Sequence, residues 1–381
     1  MDKDKKNTIE KRMTGYNEFN CIADKCKFTC CSGWDINIDN NTYGKWNKEK
    51  SKCTYILEKI RVIDSEYIIV DKKTKDSCPF LDEKGLCNIV KENGDEYLSL
   101  TCQSFPRIEN VFEEIRELTL SCSCPEVIDI IEKSKDEVKL IISNKTNEVD
   151  LPIEIKIRDT IIKIIKEKDL SIEGKILIAY KMILNILNEE EITEESVLNE
   201  LENYNNIFLE EILMNNNDYN KSFRSINNLF LDMIENYKNV PVLKDSLNDI
   251  SSIAMKIYKG QVNPNELIEK WNEFINLFDK EYKLIEKCIM AKILANCINE
   301  DIEEIAIGLE LIILEYVLMR YSVFLKFLLG KGKKLVQDIK DYIVVFSRII
   351  GNNSDAVIEF IEDQYGDILC TSEYLQKICM I

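Results

Sequence analysis

The chain has 381 residues, enough to bury a large core in one large or two modest domains. Its 50 basic and 68 acidic side chains leave a net charge of −18, which argues against nucleic acid, whose phosphates demand clustered Lys and Arg. The imbalance is uneven: residues 1–130 carry 20 basic and 24 acidic side chains, residues 131–381 carry 30 and 44. An acidic body of this kind is mostly solvated helix face, and it also suits the steering of a lysine-bearing partner.

The N-terminus, MDKDKKNTIEKRM, lacks the apolar core of a secretion signal, so the expected compartment is the cytoplasm. Cysteine then dominates. Ten of the fourteen lie between Cys21 and Cys124, in CIADKCKFTCCSGW, at Cys53, in CPFLDEKGLC, in TCQSFPR and in SCSCPE. Only Cys288, Cys297, Cys370 and Cys379 lie beyond. Disulfides need an oxidising compartment, so a metal or iron–sulfur site is the leading reading. The chain has no histidine, which removes every Cys/His zinc class, and no CxxC pair occurs. Adjacent Cys30 and Cys31 suit a zinc knuckle poorly. With so many thiols, an iron–sulfur cluster or a multinuclear site is favoured over a single zinc.

Between the cysteines the elements are short. Residues Trp34 to Ile38 alternate like a strand that ends at Asp39, with Thr42 as N-cap of a helix through Trp46. Glu66 to Val70 is a short β-like run, and Ile108 to Leu120 fits a hairpin or a helix. Pro125 sits where a helix begins, with Glu126 and Asp129 in its first turn. Beyond it, apolar residues recur at helical spacing over 126–143, 157–169, 173–188, 194–214, 222–238, 264–279, 281–299, 301–329, 335–350 and 355–380. Asn263-Pro264-Asn265-Glu266 is a helix start. The run from Ile302 to Leu329 approaches bilayer length, but Glu310 and Glu315 near its middle are costly in lipid, so it reads as a central core helix with no transmembrane segment. The expected fold is mainly α: a small cysteine-rich α+β metal module over residues 1–124, followed by an α-helical domain over 125–381.

The ordered blocks FN-Cys21-IADK-Cys26-KFT-Cys30-Cys31-SGWDINID, CPFLDEKGLC, TCQSFPRI and SCPE resemble the flagellin lysine N-methylases, within the wider group that carries a CxxCxxCC zinc- or iron-chelating domain. The resemblance covers roughly residues 12 to 128. It implies S-adenosylmethionine as methyl donor, an oxygen-sensitive [4Fe–4S] cluster held by the cysteine-rich motif, with zinc as the alternative metal, and flagellin lysines as acceptors. The spacing here, C-x4-C-x3-C-C, is longer than in the short members that give the group its name.

The candidate metal ligands are Cys21, Cys26, Cys30 and Cys31, then Cys78, Cys87 and Cys102 with Pro79, Pro106 and Gly85 shaping their turns, and Cys124 before a helix N-terminus whose dipole favours thiolate. Cys122 alternates with Cys124, so at most one of the two faces the site. Cys53 reads as a bystander, and the four late cysteines read as small buried hydrophobes. No GxGxxG or βαβ pattern marks a site for S-adenosylmethionine. Tyr16, Trp34, Asp35, Asp39 and Tyr43 flank the first cysteine group and are candidates for contacts to the donor. A base for the lysine amine would be Asp, Glu, Tyr or water. Two functions compete: a flagellin lysine methyltransferase, and a non-catalytic zinc- or iron-binding sensor with a helical interaction domain.

Overall fold

The computed structural model describes residues 9–32, 36–64, 67–70, 78–112, 114–142, 151–167, 169–206, 219–330, 334–366 and 372–379. Strand β1 (Ile9–Met13) buries Ile9 and Met13 at its two ends. Helices α1 (Asn40–Lys48) and α2 (Lys50–Leu57) follow, then strands β2 (Ile60–Asp64) and β3 (Tyr67–Val70), paired as an antiparallel ribbon. Residue 38 and its neighbours do not form the regular strand that the alternation suggested; Ile36 only offers its carbonyl to Val70 N at 3.1 Å, and Trp34 and Asp35 lie outside the described residues. The cap of α1 is Asp39, whose Oδ1 accepts from Thr42 N at 2.9 Å. Thr42 is the residue being capped, because Asp39 alone holds the extended backbone that an N-cap needs.

Short helices α3 (Asn88–Asn93) and α4 (Leu100–Ser104) lead to β4 (Arg107–Phe112) and β5 (Ile115–Leu120), which form an antiparallel hairpin. Of the two readings open for residues 108–120, the hairpin is correct. β5 also runs parallel to β1, with Ile9 opposite Ile115, and the sheet order is β4-β5-β1-β6. Helix α5 (Pro125–Lys133) begins at Pro125 as expected but stops ten residues short of 143. The Ser134 hydroxyl takes the N–H of Asp136 at 3.2 Å, turning the chain so that β6 (Leu140–Ile142) pairs antiparallel with β1.

The rest of the described chain is helical: α6 (Ile153–Ile165), α7 (Ile172–Leu187), α8 (Glu194–Asn203), α9 (Tyr219–Ile234), α10 (Pro241–Tyr258), α11 (Pro264–Phe278), α12 (Tyr282–Asn296), α13 (Ile302–Leu328), α14 (Leu335–Phe346), a π turn (Ser347–Gly351), α15 (Ser354–Tyr365) and α16 (Ser372–Cys379). The mainly α fold with a small sheet in the N-terminal part is the expected one. Helix α10 was not anticipated. Its buried stripe of Leu243, Leu247, Ile250 and Ala254 is one residue wide per turn, between Lys244, Asp245, Asn248 and Asp249.

Helix α13 runs through the centre and packs on α7, α10, α11, α12 and α14. Its interior charges are buried and met: Glu310 accepts from Tyr180 at 3.1 Å, Glu315 pairs with Lys292, and Arg320 pairs with Glu173. Among the described residues no helix is long and apolar enough to cross a membrane.

Two apolar clusters take in the cysteine segments. A small one contains Ile36, Ile38, Trp46, Cys53, Ile56, Val70, Cys78, Phe80, Ile89 and Tyr97, with the Trp46 indole donating to Tyr97 O at 3.0 Å. The large one is the core of the helices, and it also takes Met13, Phe19, Phe28, Leu120, Cys122 and Cys124 from the N-terminal part.

Candidate metal centre

Four local devices bring distant cysteines to one place. The loop from Cys21 to Cys31 turns on itself, with the Cys26 thiol donating to Phe28 O at 3.0 Å. Cys78 N donates to Cys31 O at 2.7 Å, which ties the second cysteine loop to the first. That second loop is closed by Asp82, whose Oδ1 accepts from Lys84 N at 2.8 Å and Leu86 N at 2.9 Å, and by a bridge between Leu81 and Cys87. Gly85 makes the return at φ +76°, where a side chain would be strained. Cys102 rides on α4, whose N-cap Ser99 accepts from Cys102 N at 3.3 Å, and Asp39 Oδ2 accepts from Leu100 N at 2.9 Å. One carboxylate thus joins the starts of α1 and α4.

The result is a cavity of about 1030 Å³ between the two apolar clusters. Cys21, Cys26, Cys30, Cys31, Cys78, Cys87, Cys102 and Cys124 all line it. No other described cysteine does. None of the described cysteines is in a disulfide. Cys53 is buried in the small cluster, and Cys122 faces a separate cavity of about 170 Å³ beside Lys292 and Glu315. Cys288, Cys297 and Cys379 are buried in the helical core, and Cys370 lies outside the described residues.

Four of these thiols, Cys26, Cys30, Cys31 and Cys124, are pushed above the ordinary thiol range. Burial raises Cys26, while the Cys31 contact raises Cys30 most, with burial adding to it. For Cys31 the contact with Cys30 acts downward, but Cys78 and burial prevail and push it up to about 12. Cys78 is lowered, chiefly by the hydrogen bond from Cys31. Cys124 corrects the expectation of a dipole-lowered thiol: burial pushes it up to about 12, outweighing the N–H groups of Val127 and Glu126. Desolvation of this kind is relieved when thiolates bind a cation. Among the described residues no three Cys, Asp or Glu side chains are gathered closely enough to hold a metal ion as they stand. In chemistry the donor set nevertheless fits a thiophilic group, being eight sulfurs in one cavity of a chain without imidazole.

Of the residues proposed as donor contacts, Tyr16, Asp39 and Tyr43 do not line the cavity, and Trp34 and Asp35 lie outside the described residues. Tyr16 lies under the guanidinium groups of Arg12 and Arg107, each at 5.9 Å. Tyr43 packs on the small cluster, and Asp39 is a cap held below the usual carboxylate range: burial acts upward, and the N–H groups of Leu100 and Thr42 overcome it. The cavity wall instead offers Asp95, Glu96 and Glu126 with Phe19, Phe28, Trp46, Phe80 and Phe105. Sequence reasoning also missed Arg348, a buried cation in the π turn that touches both ends of the cysteine segment. Its signal was present: a lone charge inside the apolar run Val344-Val345-Phe346-Ser347-Arg348-Ile349-Ile350.

Residues 158–374 match the model of the FliB lysine N-methylase C-terminal domain. A lysine-N-methylase of Salmonella choleraesuis is 34% identical over 140 residues, 34% of this chain and 33% of that protein. The lysine-N-methylase of Salmonella typhimurium gives the same figures, 34% identity over 140 residues, 34% of this chain and 33% of its own length. The flagellar biosynthetic protein FliU of Salmonella muenchen is 34% identical over 134 residues, 32% of this chain and 76% of that protein. The similarity thus spans about a third of the first two relatives (33%) and most of the third (76%). No solved structure matches the chain. With more than half its length under the family model, the chain belongs to the FliB lysine N-methylase family.

Proposed function

We propose that the chain is a cytoplasmic protein-lysine N-methyltransferase acting on flagellin, with S-adenosylmethionine as donor and an iron–sulfur cluster bound by the cysteines of the large cavity. The observation that carries this reading is the sorting of the cysteines: eight line one cavity, and each of the other described cysteines packs elsewhere. The names of the relatives, lysine-N-methylase and a flagellar biosynthetic protein, support the reaction and the substrate.

Cys21, Cys26, Cys30, Cys31, Cys78, Cys87, Cys102 and Cys124 are the residues from which the ligands are drawn. When bound, a cluster supplies iron that accepts further ligands and exchanges single electrons. The rest falls to the chain. Phe19, Phe28, Trp46, Phe80 and Phe105 give the cavity an apolar wall that excludes water, and their ring faces attract a sulfonium cation. The acceptor lysine must lose a proton, since its amine has an ordinary pKa of about 10.4. Asp95, Glu96 and Glu126 are the cavity-lining carboxylates that can take it. Holding amine and methyl group in line in a dry cavity then supplies much of the acceleration. The acidic residues of 131–381 favour encounter with a lysine-rich surface.

The test is anaerobic purification followed by incubation with S-adenosylmethionine and flagellin. The protein should be brown, with iron and sulfide in near-equal amounts, and mass spectrometry should show methylene increments on flagellin lysines. Cluster-replete protein that leaves its own flagellin and several others unmethylated overturns the enzymatic reading and leaves the metal-binding one.

A further inference from the structure

Among the described residues the helical body buries five basic side chains: Arg158, Lys175, Lys292, Arg320 and Arg348. Four of them have a glutamate partner. Arg158 pairs with Glu117, Lys175 with Glu286, Lys292 with Glu315 and Arg320 with Glu173. Arg348 has none among the described residues. It is 1% exposed, and its three donating nitrogens end on neutral backbone carbonyls. Nη2 donates to Phe28 O at 2.6 Å, Nη1 to Thr29 O at 2.7 Å and Nε to Ser123 O at 2.9 Å. The Phe28 ring also lies 5.8 Å from the guanidinium carbon.

An ion removed from water without an opposite charge is costly, and carbonyl dipoles return only part of that cost. A fold that neutralises four buried cations with carboxylates and leaves the fifth unmatched has therefore reserved it for an anion supplied otherwise. The groups that face Arg348 and would be negative on ionisation are Cys30, Cys26, Cys124 and Cys31. Two of its acceptors, Thr29 and Ser123, immediately precede Cys30 and Cys124. One guanidinium thereby joins sequence-distant ligand segments and places a positive charge behind both.

We propose that Arg348 is the counter-charge of the cysteine site, a positioning residue that stabilises the negative charge of a thiolate-held metal group. The inference rests on the reading that these thiols bind metal, and it goes beyond that reading in assigning a specific partner from the helical body. A residue that only orients the loop through three carbonyls is replaceable by neither lysine nor glutamine. A counter-charge is replaceable by lysine alone.

The experiment compares Arg348→Lys and Arg348→Gln with the wild-type protein. Each is reconstituted anaerobically with ferrous iron and sulfide and then challenged with an iron chelator. The glutamine variant should hold iron about tenfold or more less tightly, the range seen when a group supporting metal ligands is lost, and the lysine variant should stay within about threefold of wild type. The cluster's reduction midpoint should move to more negative potential in the glutamine variant, because the added electron then lacks the guanidinium's positive charge, and should stay in place with lysine. Variants that behave alike, both holding iron as wild type does or both losing it, overturn the proposal, and failure of both to fold counts with the second case. If only the glutamine variant fails to fold, lysine against wild type decides: within about threefold supports the counter-charge, and a loss of about tenfold overturns it. Wild-type protein that takes up no iron overturns the cluster reading instead. The same comparison with zinc then decides the role of Arg348, and uptake of neither ion overturns both.

Discussion

The contact between Glu117 and Arg158 is where the sheet beside the cysteine cavity is fastened to the helical body, and its removal has a calculable effect. Glu117 on β5 is fully buried, opposite Asn110 on β4 and Lys11 on β1. Arg158 of α6 reaches it with both terminal nitrogens, Nη2 donating to Oε1 at 3.1 Å and Nη1 to Oε2. Glu117→Gln removes the charge at constant shape and leaves the guanidinium in the interior. Breaking a buried pair from one side costs about 3–5 kcal/mol. The lower end applies, because half-exposed Asp159 stays 3.3 Å from Arg158 Nη2 and offsets part of the loss. A cost of about 3 kcal/mol, at no more than about 2 °C per kcal/mol for so long a chain, lowers the melting midpoint by about 5 °C. The paired replacement Glu117→Leu with Arg158→Met removes both charges of that pair and should recover most of that drop, because Lys11, whose Nζ lies 3.6 Å from Glu117 Oε1, is 13% exposed and keeps access to water. Circular dichroism melts of the three proteins provide the assay. A Gln variant within about 1 kcal/mol of wild type, or a double variant less stable than the single one, refutes the argument.

Three further outcomes are expected. Cys30→Ala and Cys102→Ala should lose bound metal, whereas Cys288→Ala and Cys379→Ala, whose thiols are buried in the helical core, should retain it, as read by metal content after gel filtration. Asp82 is held down to about 2 from its ordinary 3.8, first by Lys91 and then by the N–H of Leu86. Its folded pKa is the lower one, so its contribution to closing the Cys78–Cys87 loop is present above pH 3.8 and is lost as pH falls towards about 2. Asp82→Asn should flatten that part of the stability–pH curve, and a curve unchanged by the substitution counts against the loop assignment. Gly308→Ala should cost about 1–3 kcal/mol, since its methyl group would meet Asn296 O at 2.9 Å, where α13 passes the end of α12. An unaltered melting midpoint would contradict so close a crossing.

The sequence carried the helical body well wherever one face was broadly apolar. Helix α13 needed only its run from Ile302 to Leu328, and α5 only Pro125 and the residues after it. Helix α10 escaped because a stripe of one apolar residue per turn resembles polar loop as closely as helix. The stop of α5 at Lys133 turns on a single hydroxyl at Ser134, which periodicity does not register. At the site, the eight cysteines singled out as candidate ligands from type and spacing all line one cavity. Their company was not legible. Arg348 reaches the cysteine loop from an element far along the chain, and only tertiary packing brings it there. The family likeness was read from the cysteine blocks, whereas the family model matches residues 158–374 in the helical body, so the two lines of resemblance are largely independent.

The way the helical body meets the cysteine cavity bears on whether the chain is an enzyme or a sensor. A sensing module attached to an interaction domain needs little more than a surface between them. Here a residue of the helical body is tied into the cysteine loops, Arg348 donating to Phe28 O, Thr29 O and Ser123 O. Phe105, Pro106 and Arg107 separate the cysteine cavity from the smaller one that holds Lys292, Glu315 and Ser347. Those three form one buried network, with Lys292 donating to Ser347 Oγ at 2.5 Å and Ser347 Oγ donating to Glu315 at 2.8 Å. Ser347 immediately precedes Arg348, so one π turn presents a hydroxyl to the ion pair and a guanidinium to the thiols. Burying an ion pair and an unmatched cation beside a cavity is an expensive way to build a scaffold, since apolar residues of similar volume fill such space at less cost. Charges fixed in a dry site are instead what stabilises charge that develops or accumulates there. The arrangement therefore favours a site in which the cysteines and the helical body act together on a reacting group.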